Sequence, residues 1–150
     1  MPRDLPLSTG PSAARAYRCG VAHLLADDPG PAAQAFRRAV EEDACFAVGL
    51  AGLAVALASL DQPPRAGPDD VAEQLARADQ CSRRVSPPER HHVEVVLLGL
   101  TGRWDRASAL AREHLVDVPG DRIVGYVLAR WSDDEREAAS SSVEAEPPRA

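Results

Sequence analysis

The chain has 150 residues, 45% of them hydrophobic and 27% charged, which suits one globular domain and excludes a disordered or membrane-embedded composition. Its net charge of -6 and pI near 5.2 argue against a surface that captures nucleic acid or anionic lipid through phosphate charge. Aromatic residues make up only 4% and alanine recurs throughout, so helices packed closely through small side chains are expected in place of a bulky β-sandwich.

Residues 1–12 hold prolines and serines but no apolar stretch of signal-peptide length, and read as a flexible lead-in. A helix over 14–25 places Tyr17, Gly20, Val21, Leu24 and Leu25 on one face. After a turn at 26–30, Pro31 suits the first position of a second helix that runs to about residue 42 and aligns Ala32, Ala35, Phe36, Ala39 and Val40. Two amphipathic helices with a short link form an αα-hairpin.

The uncharged run 44–60 is too short for a spanning helix, is dominated by Ala and Gly, and is bracketed by acidic residues. A helix apolar on all sides is what the sandwiched element of a layered helical protein must be. A proline-rich loop at 61–68 leads to a helix from 69 to about 85, with Val71, Leu75, Ala78 and Cys81 facing inward. Ser86-Pro87-Pro88-Glu89 forms a capping box that opens a helix to about Leu100. After a turn at 101–103, residues 104–116 present Ala107, Leu110, Ala111, His114 and Leu115. Pro119-Gly120 ends that helix, and a final one over 121–131 has an apolar stripe of Ile123, Val124, Val127, Leu128 and Trp131. The acidic, serine-rich stretch 132–150 is expected to be disordered.

Gly20, Ala32, Phe36 and Ala39 stand at the spacing of the small, small, aromatic and small positions of the tetratricopeptide repeat family. Val95, Leu98, Gly102, Ala107 and Pro119 match a later unit, and the chain resembles that family over about 13–130. Asp27 stands where the family's turn glycine belongs, and the proline-rich loop stretches the middle unit. Residues 86–121 are similar to the group called tetratricopeptide repeat protein 38-like, whose members are longer, so the chain would correspond to an N-terminal portion. The resemblance implies an interaction scaffold. The fold expected over 13–131 is an all-α, right-handed solenoid of antiparallel hairpins, about three hairpins plus a terminal helix.

In that register the first helix of each hairpin lines a concave face where Tyr17, Val21, Val48, Ala51, Val55, Glu89, His92 and Val96 form a groove for a peptide or partner helix. The terminal helix shows Gly125, Tyr126 and Ala129 on its other side, a surface that a following helix would cover. Weak self-association through that end, or continuation in a longer array, is expected.

For chemistry, Glu89, His91, His92 and Glu94 offer carboxylates and imidazoles at helical spacing, but no second cluster completes a metal site. Polar first turns of a capped helix are the plainer reading, and no metal, cofactor or enzymatic activity is expected. His23 and His114 read as packed histidines. Cys19, Cys45 and Cys81 are an odd, widely spaced set, read as reduced thiols in a cytoplasmic protein, with Cys19 and Cys81 at core spacing. Two alternatives to the scaffold are a regulatory or dimerisation segment of a larger signalling or transcription system and a metal-dependent enzyme built on residues 89–94.

Overall fold

The computed structural model describes residues 3–63, 67 and 70–144, with side chains up to residue 133. The described residues form seven α-helices and no strand: α1 (Pro11–Leu25), α2 (Pro29–Glu42), α3 (Ala47–Ala58), α4 (Val71–Ser82), α5 (Pro87–Leu100), α6 (Trp104–Asp117) and α7 (Arg122–Glu144). Prolines stand in the first turn of α1, α2 and α5, where a missing N–H costs nothing. For α1 and α2 they move the start two or three residues ahead of the expected one. Asp70 caps α4 by accepting from the Ala72 amide at 3.3 Å.

Successive helices pack as hairpins, α1 on α2, α3 on α4 and α5 on α6, and α7 lies against both α5 and α6. Two of the tight turns share one backbone device. Gly102, between α5 and α6, has φ 84°, and Asp27, between α1 and α2, has φ 59°. Aspartate is among the few residues that tolerate the left-handed region, so Asp27 serves where glycine was expected.

Every residue of α3 from Ala47 to Leu57 is buried, because α1, α2, α4 and α5 all pack against it. Phe36 fills the space left by glycines on two other helices: a Cβ added at Gly20 of α1 or at Gly52 of α3 would come within 2.7 Å of its ring. Tyr17 meets Phe36 and Phe46 with ring centroids 5.6 and 5.5 Å apart. On α7, Ile123, Val124, Val127 and Trp131 are buried and Leu128 is half-buried, so the apolar stripe faces the core as expected.

The odd-numbered helices do not leave an open concave face. Contacts run α1 to α3, α3 to α5 and α5 to α7, and α7 in turn reaches α1. Of the residues expected to line a groove, Tyr17, Val48, Ala51, Val55, Glu89, His92 and Val96 are buried, and only Val21 is partly exposed. They are core residues because the curl of the helices closes the face they share.

Four further expectations are corrected. The lead-in is docked: Leu5 and Leu7 pack on the core, the Gly120 amide donates to the Arg3 carbonyl at 3.0 Å, and the Thr9 hydroxyl donates to Asp43 at 2.7 Å. The last helix does not stop at Trp131 but continues to Glu144, through residues that include good helix formers and lack Gly and Pro; 145–150 lie outside the described residues. Cys45 and Cys81 are joined in a disulfide, because the α3–α4 hairpin brings the link before α3 to the end of α4, with Cα atoms 5.4 Å apart. Cys19 is free and exposed, not a core residue. Among the described residues no helix is long and apolar enough to cross a membrane.

Candidate functional site

Ionisable side chains gather where the lead-in, α1, α5, α6 and the start of α7 meet. Asp121 sits just before α7, and its Oδ1 accepts from the Val124 amide at 3.2 Å, which is N-cap geometry. Its Oδ2 takes two imidazoles. Nδ1 of His92, on α5, lies 2.6 Å away and Nε2 of His114, on α6, lies 2.7 Å away. A carboxylate can only accept, so both ring nitrogens present a proton to it. All three side chains are buried, at 0%, 3% and 3% exposure for His92, His114 and Asp121.

Burial pushes the Asp121 carboxyl pKa up. The neighbouring His92 charge and the hydrogen bonds from His114, His92 and the Val124 amide outweigh that, and hold it well below the usual carboxylate range. The far nitrogen of His92, Nε2, is buried and has no hydrogen-bond partner among the described residues. Tyr17 borders the same patch. Its hydroxyl pKa is raised well above the ordinary value, first by burial and then by the charges of Asp121 and Glu89.

Glu89 is also fully buried, and the reciprocal capping box expected around it does not form. Ser86 makes no side-chain cap; its hydroxyl donates to Glu89 Oε1 at 2.8 Å instead. Ser8 of the lead-in donates its amide to Oε2 at 3.0 Å and its hydroxyl to Oε1 at 2.5 Å. Glu89 therefore anchors the lead-in from inside the fold. Of the polar quartet noted in the sequence, His91 and Glu94 are exposed, and only Glu89 and His92 point inward.

A pocket of about 350 Å³ opens beside this patch. Leu5, Leu7, Val21 and Ile123 give it apolar walls, while Tyr17 and Asp121 line its inner side. Asp4, Arg18 and Arg122, all exposed, stand at its rim.

At the expected self-association end, Gly125 and Tyr126 are half-buried and Ala129 is exposed. A Cβ added at Gly125 would meet nothing within 4 Å. Arg130 lies over the Tyr126 ring, 5.4 Å from its centroid, and donates to its hydroxyl at 2.6 Å, which partly covers the aromatic surface.

In the sequence alone His114 reads as a packed residue and Asp121 as a helix start, and each has a sufficient local reason. The signal for their meeting was an Asp directly after Pro119-Gly120, seven residues beyond a histidine on the inward face of α6, and the partner on α5 could be found only through tertiary packing. No protein-family model, curated protein or solved structure matches this chain.

Proposed function

We propose that the chain is a non-catalytic binding module of tetratricopeptide-like hairpins that holds a short segment of a partner protein in the pocket between the lead-in, α1 and the start of α7. The family reading is supported by the hairpin order, by Phe36 packed against Gly20, and by the matching turns at Asp27 and Gly102. The pocket carries the functional reading. It falls in the size range of ligand sites, its walls are apolar, and its rim holds Arg18 and Arg122 against Asp4 alone. An apolar side chain flanked by an acidic residue fits that lining, which replaces the closed concave face as the place of contact. The Cys45–Cys81 bond supports an oxidising compartment over the reducing cytoplasm expected from the sequence.

A selection of short random peptides against the native protein tests this. Enriched peptides should combine an apolar residue with Asp or Glu, and should lose binding to Ala22→Trp, which fills the pocket from an exposed position of α1, and to Arg18→Glu. Selection without that enrichment, or equal binding to Ala22→Trp, refutes the reading.

A further inference from the structure

We propose that His92, His114 and Asp121 form a binding site for one divalent transition-metal ion, with zinc as the best match. The ligand-type atoms of these three residues, one from each, all lie within 4.8 Å of one another. They come from three separate segments, α5, α6 and the turn before α7, and are held by the packing of α5, α6 and α7. Two imidazoles and one carboxylate are a donor set suited to zinc and its first-row neighbours, whereas calcium and magnesium take oxygen ligands.

The distances are close to what coordination requires. With bonds of about 2.0–2.1 Å in tetrahedral geometry, neighbouring ligand atoms lie roughly 3.3 Å apart. Oδ2 of Asp121, now 2.6 and 2.7 Å from the two nitrogens, would draw back by about 0.6 Å to admit the ion, and the two nitrogens, which lie within 4.8 Å of each other, would settle to the same spacing. On binding, Nδ1 of His92 and Nε2 of His114 offer lone pairs, so the proton that each presents to Asp121 moves to the opposite nitrogen of its own ring or, where that nitrogen already carries one, is released to solvent.

The other ring nitrogen of His92, Nε2, has no hydrogen-bond partner among the described residues, although the residue is completely buried; it does not face Asp121, so it would carry the ring proton when the ion binds. Asp121 also lines the pocket, which therefore ends beside the site.

The test uses the full chain, stripped by a chelator and titrated with cobalt(II) while visible absorption is read. Tetrahedral ligand-field bands should grow to saturation at one equivalent and disappear when zinc is added. Zinc alone should shift the imidazole nitrogen resonances of His92 and His114 while leaving His23 unmoved. His114→Ala should abolish the bands, and His91→Ala, an exposed neighbour whose ring lies 6.4 Å from that of His114, should keep them. Should His114→Ala fail to fold, the titration and resonances of the native protein decide alone. Absence of bands at one equivalent, or a zinc response that spares His92 and His114, overturns the site. Loss of binding in His91→Ala overturns the ligand set.

Discussion

Replacing Gly20 by alanine sets two opposed effects against each other in the middle of α1. Alanine is favoured over glycine inside a helix by about 1 kcal/mol. The added methyl, however, would stand 2.7 Å from Cδ1 and Cε1 of Phe36, where ordinary contacts begin at 3.4 Å. The ring cannot withdraw freely, since it is completely buried and the backbone of α3 at Gly52 approaches the same two carbons. Overpacking of this kind costs about 1–3 kcal/mol, and for a trapped ring the upper half of that range applies. The net expectation is a loss of about 1–2 kcal/mol, a fall in midpoint of roughly 3–6 °C for a domain of this size. Urea titration followed by circular dichroism measures it. Gly30→Ala, where a Cβ would meet nothing within 4 Å, should be neutral or stabilising by up to about 1 kcal/mol. Phe36→Leu should cost less in the Gly20→Ala background than alone, which a double-mutant cycle reports. A Gly20→Ala protein as stable as the native one refutes the packing argument.

The Cys45–Cys81 disulfide spans 36 residues, so the double change to serine should cost about 3–4 kcal/mol through the freed unfolded chain; a urea midpoint indifferent to reductant would contradict the bond. Tyr17, with its folded pKa raised by burial, keeps its proton after the unfolded chain begins to lose one near the ordinary tyrosine value of about 10. The stabilising contribution is thus intact below that pH and falls by about 1.4 kcal/mol per unit above it. Tyr17→Phe should flatten the alkaline limb of the stability curve, and an unchanged slope would show that the hydroxyl ionises as easily folded as unfolded.

Much of the helix plan could be read in the sequence because its signals are local. The apolar faces of α1 and α2, the all-apolar α3 and the prolines at helix starts each depend on residues within a few turns of one another. What could not be read depends on how the array curls. Tyr17, Val48 and Val96 fall in a groove under a register that does not specify curvature, and the contacts that link α1, α3, α5 and α7 bury them. Ser8 and Glu89 are 81 positions apart, and nothing near either one marks the other. His92, His114 and Asp121 show the same limit: each had a sufficient local explanation, and only the meeting of three segments makes them one site. An odd set of cysteines points to free thiols at Cys45 and Cys81, but the count says nothing about which pair the α3–α4 hairpin brings together.

The contact between α1 and α7 also bears on the order in which the chain can acquire its structure. Linear helical arrays contact only their neighbours, so they can nucleate anywhere and propagate hairpin by hairpin. Here the lead-in needs Glu89 of α5 and Gly120 before α7 as its partners. A ribosome-bound chain that has exposed only its first two hairpins therefore holds Leu5, Leu7 and the side of α3 that faces α5 without their cover. Completion waits for synthesis to pass the start of α7, and non-local closure of this kind slows folding relative to an open array.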